Sequence, residues 1–237
     1  MPGAKEVGDA AFENCHVLTD VECGKLEIIR ERAFGNCQSL RSINMPSARI
    51  VARGVFGKCK DLKDVKFGNK LERIEGYGTF SQCVSLERIT IPLKDNLITV
   101  DSAFIVCRNL MHVDLADEGA VLLKTIAALQ LEEWRNDMNE EIDSINHILP
   151  ITPAGYVERY DDYDEGEKAQ AIRSWISSVL GKINHYKAEH RRILSEAAAT
   201  LQLFLPQDIA MNNIVPFLEL PVQTFEGEVV AADDNDE

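Results

Sequence analysis

Cysteine is the residue type in this chain with the widest chemistry, since a thiolate serves as nucleophile, metal ligand and disulfide partner. Five of the six cysteines fall at one position of a recurring pattern, F-x-x-C-x-x-L-x-x-[IV]. It reads Phe12, Cys15, Leu18, Val21; Phe34, Cys37, Leu40, Ile43; Phe56, Cys59, Leu62, Val65; Phe80, Cys83, Leu86, Ile89; and Phe104, Cys107, Leu110, Val113. A shared position implies a shared environment, and a small, readily buried side chain recurring there suits a stacked interior. The column is therefore expected to be reduced, buried and structural, with no disulfide, redox or metal role. Cys23 lies outside it, where the other repeats carry Met45, Phe67, Ile91 and Leu115, and it too reads as core.

Other chemistry finds little support. His112 stands two residues from Asp114, but the pattern supplies neither a nucleophile nor a third ligand beside them. The run Tyr160-Asp161-Asp162-Tyr163-Asp164-Glu165-Gly166 invites a calcium loop. With Gly166 at the sixth position, however, Tyr163 and Ile172 occupy ligand positions, so the segment reads as a solvated acidic loop. No Gly-rich phosphate loop, H-E-x-x-H or G-x-S-x-G is present. The chain is expected to be non-enzymatic, without catalytic residues, cofactor or metal.

The elements that hold these residues follow from the spacing. Successive phenylalanines are 22, 22, 24 and 24 residues apart, the period of a solenoid whose units have no core until they stack. After each cysteine the apolar residues alternate, as in Leu62, Val65 and Phe67, which predicts a short strand. Pro46 and Pro92 directly follow two of these strands. A second apolar element precedes each phenylalanine, at Val7, Ile29, Val51, Ile74 and Val100. Ile74 lies one residue further from its phenylalanine than usual and Val100 one nearer, which predicts altered turns in the last two units.

The order I-x-x-x-A-F-x-x-C-x-x-L-x-x-I-x-L-P, seen from Ile29 through Phe34, Cys37, Leu40, Ile43 and Met45 to Pro46, resembles the BspA-type leucine-rich repeats. The resemblance covers about residues 7–116, and the many-copy versions of unicellular eukaryotes fit better than the surface adhesins. It implies a curved α/β solenoid of five repeats with a parallel sheet on its concave side, used to bind proteins. Outward positions of the predicted strands would line that side. They are Thr19, Arg41, Lys63, Glu87 and Met111; Asp20, Ser42, Asp64, Arg88 and His112; and Glu22, Asn44, Lys66, Thr90 and Asp114. Arg41, Asn44, Lys63, Lys66, Arg88, Thr90 and His112 are the candidate partner-binding residues, with a basic middle that suits acidic groups. The first repeat starts abruptly, without a polar cap. Either Met1 is not the true start, or self-association or something outside this sequence covers that edge.

From Asp117 the period becomes helical. Apolar residues at Ala127, Leu131, Trp134, Met138, Ile145 and Ile148 predict a helix over 120–148. A second seam, Ile172, Ile176, Val179, Ile183, Tyr186, His190, Ile193 and Ala197, predicts another over 167–204. The expected division is a solenoid at 1–116, an acidic helical hairpin that caps it at 117–225, and a disordered acidic tail at 226–237. The hairpin shows no resemblance to a known family. Residues 1–116 carry 16 Lys and Arg against 15 Asp and Glu, and residues 117–237 carry 9 against 24. A net charge of −14 disfavours nucleic acid and anionic membrane as partners. No apolar run approaches a bilayer span and no signal region opens the chain, so a cytoplasmic location is expected, with a nuclear one still open. The expected function is a protein-interaction module. A self-assembling structural protein, joined through the first repeat or the helices, is the alternative, and an enzyme accessory using the helical half is a remoter one.

Overall fold

A computed structural model describes residues 3–116, 136–137, 140–141, 145–147, 149 and 167–204. The chain divides into two compact units, Met1–Leu180 and Gly181–Glu237. Within the first, residues 3–116 form five stacked coils, spanning 3–24, 25–46, 47–69, 70–93 and 94–116. Most of the expected helix over 120–148, the loop at 150–166 and everything after Phe204 lie outside the described residues.

In chain order the strands are β1 (Glu6–Val7), β2 (Ile28–Ile29), β3 (Ser42–Met45), β4 (Ile50–Val51), β5 (Asp64–Phe67), β6 (Arg73–Ile74), β7 (Arg88–Ile91) and β8 (His112–Leu115). They form two parallel sheets, β1-β2-β4-β6 and β3-β5-β7-β8. A strand of two or four residues cannot stand alone, so each is held by its equivalent one coil away. Val7 pairs with Ile29, Ile29 with Val51 and Val51 with Ile74. In the longer sheet the chain of partners runs Ser42, Asp64, Arg88, His112.

Between the sheets each coil turns through its phenylalanine. The residue two beyond it (Asn14, Asn36, Lys58, Gln82, Val106) has φ between 58 and 64°. Left-handed backbone suits Asn in the first two coils and is imposed on the bulkier residues in the rest by the coils around them. The turn amides are satisfied across coils, as in Phe12 N–H to Ala33 O (2.8 Å) and Phe34 N–H to Val55 O (3.0 Å).

Inside, the five phenylalanine rings stack in one spine, with centroids 5.2 to 5.7 Å apart and planes within 13°. Beside it runs a thiol ladder. Cys37, Cys59, Cys83 and Cys107 each donate S–H to the phenylalanine carbonyl of the preceding coil, at 3.0 to 3.2 Å. Each of those carbonyls also accepts the amide of its own coil's cysteine, so both lone pairs are used. Cys15 makes no such bond among the described residues and is only half-buried, which corrects the expectation of a uniformly buried column.

The altered turns are present, with one change of register. In the fourth coil the extra residue is taken up at Gly76 (φ 99°), where a Cβ would lie 2.6 Å from Arg53. In the fifth coil the residue pairing with Ile74 is Ile98, not Val100. Val100 instead leads into a 3₁₀ turn, Asp101–Phe104. The reason is burial: Ile98 is inside, and the shortened approach to Phe104 leaves Val100 half-exposed.

Helix α1 spans Glu167–Leu201, ends in a turn at residues 202–204 and follows the predicted seam. In the first unit it buries Ala169, Ile172, Trp175, Ile176 and Val179. In the second it buries Ile183 and Tyr186, then the seam opens: His190 and Ala197 are half-buried and Ile193 is exposed. Arg192 braces the outer face there, 2.5 Å from both Glu189 and Glu196.

Candidate functional site

A four-stranded parallel sheet places the outward side chain of each strand beside its equivalent on the next, roughly 5 Å away. The sheet β3-β5-β7-β8 sets Arg88 between Asp64 and His112, and Lys66 between Asn44 and Thr90. The first coil joins only through the bridge of Glu22 to Asn44, so its long strand is vestigial. Arg41, Asn44, Lys63 and Lys66 are exposed, and Arg88, Thr90 and His112 are half-exposed. Strand alternation therefore brings the sequence-predicted residues onto one face.

Their charges behave differently from a free basic patch. Arg88 meets Asp114 at 2.6 Å, Lys66 meets Asp64 at 3.3 Å and Lys63 meets Glu87 at 3.6 Å. The hydrogen bond from Arg88 to Asp114, with their attraction, holds the guanidinium above its ordinary pKa. It also takes the carboxylate that flanks His112 in sequence. Among the described residues, Arg41 is the cation of the predicted set without an ion pair. Asp64 spends Oδ2 on Lys66, and its Oδ1 is buried with no hydrogen-bond partner. A buried acceptor without a donor costs about 1–3 kcal/mol, so this oxygen is a local cost within the sheet.

The carboxy-terminal edge of the stack is built differently from the interior. The Asn146 side-chain oxygen accepts the outward-facing Val113 N–H of β8 at 3.0 Å, a bond that a sixth strand would otherwise make. Lys168 is only 7% exposed and gives Nζ to Leu110 O at 2.6 Å. Burial pulls its pKa below the ordinary lysine value. Arg173 pairs with Asp101 of the 3₁₀ turn. The segment carrying Asn146 is tied to α1, since Trp175 Nε1 donates to Glu141 O at 3.0 Å and Ser178 Oγ to Glu141 Oε1 at 3.2 Å. Pattern reasoning missed Lys168 and Asn146 because neither belongs to the repeat. One signal was available for Lys168: a cation in the first turn of a helix opposes the helix dipole and needs another reason to be there.

With two sheets, a phenylalanine spine and a thiol ladder in place, the comparison with known proteins is decided by a sequence model of the BspA type leucine rich repeat region, which matches six copies over residues 3–124. The chain belongs to the BspA-type leucine-rich repeat family. Similar solved structures include a leucine rich cell surface protein from Faecalibacterium prausnitzii A2-165 (28% identity, TM-score 0.44), which covers 48% of this chain and 30% of that one. A T. pallidum leucine rich repeat protein is 31% identical, with TM-score 0.41 and coverage of 46% and 51%. A leucine-rich repeat protein from Bacteroides ovatus ATCC 8483 is 33% identical, with TM-score 0.41 and coverage of 48% and 29%. The chain thus spans about half or less of the length of each. No curated protein matches it. Among the described residues of this BspA-type chain, no helix is long and apolar enough to cross a membrane.

Proposed function

We propose that this protein is a non-enzymatic interaction module whose binding platform is the outward face of β3-β5-β7-β8. The observation that carries the reading is the row of exposed polar side chains brought together on that face, of which Arg41 has no ion pair among the described residues. A protein segment laid across the strands supplies the complement, an acceptor for Arg41. The acidic partner expected for the basic middle gives way to one of mixed polarity, because Lys63, Lys66 and Arg88 are already engaged within the sheet. Buried free thiols committed as donors to carbonyls support a reducing compartment.

Arg41→Glu and Asn44→Ala test the platform, because both side chains are exposed. Partners captured by the intact protein from native lysate are quantified against both variants over a salt series. The reading expects each variant to weaken the same captured protein, Arg41→Glu with reduced salt sensitivity. Unchanged capture by both variants refutes it.

A further inference from the structure

We propose that the turn face of the third and fourth coils is a second docking surface, which takes a short acidic segment of another protein onto Arg53, Lys58, Lys60 and Tyr77. It is carried by the phenylalanine turns rather than by β3-β5-β7-β8. Tyr77 is 57% exposed and makes no ring contact among the described residues. The backbone around it is built to hold it outward. Gly76 (φ 99°) and Gly78 (φ 68°) flank it in left-handed conformations that suit glycine, and Gly76 lies against Arg53 so closely that a Cβ would fall 2.6 Å away. Thr79 is buried where the other coils carry Ala11, Ala33, Val55 and Ala103, and its hydroxyl lies 3.2 Å from Gly76 O and 3.3 Å from Ala52 O. An exposed ring adds little to packing, so the fold alone does not call for it.

The residue three before each phenylalanine forms a row across the coils: Asp9, Glu31, Arg53, Tyr77 and Asp101. Its acidic members are engaged. Asp9 accepts the Glu31 amide at 3.1 Å, Glu31 meets Arg32 at 3.7 Å, and Asp101 pairs with Arg173. Arg53 and Tyr77 have no side-chain partner among the described residues. A tight turn closed by Gly57 N–H to Gly54 O (3.0 Å) separates Arg53 from Lys58, so the two cations flank it. Lys58 N–H to Ser81 O (2.7 Å) fixes that end of the turn on the fourth coil, and Lys60 follows beyond the inward Cys59. Arg53, Lys58 and Lys60 are all exposed.

Charge selects the occupant. The third coil, residues 47–69, carries six Lys or Arg and two Asp or Glu, against four and two in residues 25–46 and three and three in residues 70–93. Three of its cations are neutralised by neighbours: Arg49 by Glu72, Lys63 by Glu87 and Lys66 by Asp64. Arg53, Lys58 and Lys60 have no ion pair among the described residues. Opposite potentials steer encounter and set register, and Tyr and Arg are the side chains that most often anchor protein interfaces. The basic band is one coil wide, bounded along the row by Glu31 and Asp101. A segment with a few carboxylates and an apolar residue for Tyr77 fits within it, whereas a nucleic acid, with a charge at every phosphate, would run on against those acids.

Tyr77 reports occupancy directly, because a segment lying on Arg53 covers it. The probes are a short fluorescent peptide of glutamates around one leucine and its lysine counterpart, each added to the full chain. Binding is read by anisotropy over a salt series, and nitration of Tyr77 is quantified by mass spectrometry. The glutamate peptide is expected to bind with an affinity that falls as salt rises. At about ten times its Kd, mass action predicts that it slows Tyr77 nitration about tenfold. Arg53→Glu, Tyr77→Ala and the pair Lys58→Glu with Lys60→Glu should each weaken its binding about tenfold or more. Circular dichroism and the silence of Cys59 toward a thiol reagent confirm that the variants are folded. Binding of both peptides alike, or of neither, overturns the proposal. Loss of binding in Arg41→Glu but in none of these variants assigns the peptide to the sheet platform and overturns it too. So does tighter binding of a single-stranded oligothymidylate at the same residues, or Tyr77 nitration that slows as the protein alone is concentrated, which assigns the face to nucleic acid or to a second copy.

Discussion

The two ends of the coil stack use the same repeat residues and meet opposite fates. Phe12, Cys15, Leu18 and Val21 are half-buried at one end, while Phe104, Cys107, Leu110 and Val113 are at most 4% exposed at the other. Local propensity is equal, so the difference lies in what covers each end among the described residues. At the carboxy-terminal end, Asn146 and Lys168 take over two backbone groups of the last coil, and α1 begins there with Ala169 and Ile172 buried. Burial in a solenoid is thus a property of neighbours, and each repeat contributes only one side of every contact.

The largest effect that sharpens this comparison is alkaline. Burial raises Cys23 and Cys37 to about 11 and Cys59 and Cys107 to about 12, against 9.0 for an unperturbed thiol, and Cys83 also shifts upward. Because the folded-state pKa values lie above the unfolded one, stability is complete below pH 9 and is lost as pH rises toward 12. In that window each of these buried thiols removes on the order of 1 kcal/mol per pH unit. Urea midpoints across pH 8 to 11 test this, and Cys107→Ser should flatten the fall. A flat wild-type profile would argue that the ladder is wet.

Phenylalanine truncation comes next. Phe56→Ala, in the middle of the spine, is expected to cost about 3–5 kcal/mol. Phe12→Ala should cost roughly half of that or less, because its ring has one stacked neighbour and is part-solvated. Equal losses by chemical denaturation would mean that the first coil is covered. At the other end, Lys168→Ala should cost about 1–3 kcal/mol by leaving Leu110 O without its donor. The exposed Lys5→Ala should change stability by less than about 0.5 kcal/mol. The smallest expected difference is in the ladder itself. Cys59→Ala loses about 1–2 kcal/mol, and Cys59→Ser about 1 or less, since a hydroxyl can donate to the same Phe34 carbonyl.

That last contrast shows where the sequence was legible. The column of cysteines identified the repeat and its burial, because burial follows from residue type and period. It did not reveal that the thiols donate hydrogen bonds, because the acceptor is a backbone atom one coil away. The strand registers could be read from the alternation of Ser42, Asp64, Arg88 and His112, since a parallel solenoid fixes register by the repeat length. The pairing of Arg88 with Asp114 could not, because it joins side chains on neighbouring coils at different strand positions. In the fifth coil the count of residues favoured Val100, and burial of Ile98 decided otherwise. Gly68 shows the same limit: where two other coils carry proline after the strand, it lies so close to Pro46 that a Cβ would fall 2.3 Å from the carbonyl oxygen.

Cys15 and Cys107 occupy the same repeat position at the two ends of the stack, so their relative thiol reactivity tests the account most directly. Native, reduced protein is pulsed with a small thiol reagent at pH 8, with and without denaturant, and each site is quantified by mass spectrometry. An open first coil and a covered last coil predict labelling at Cys15 within the native pulse and at Cys107 only after unfolding. Comparable native labelling of the two thiols, or faster labelling of Cys107, would contradict the account.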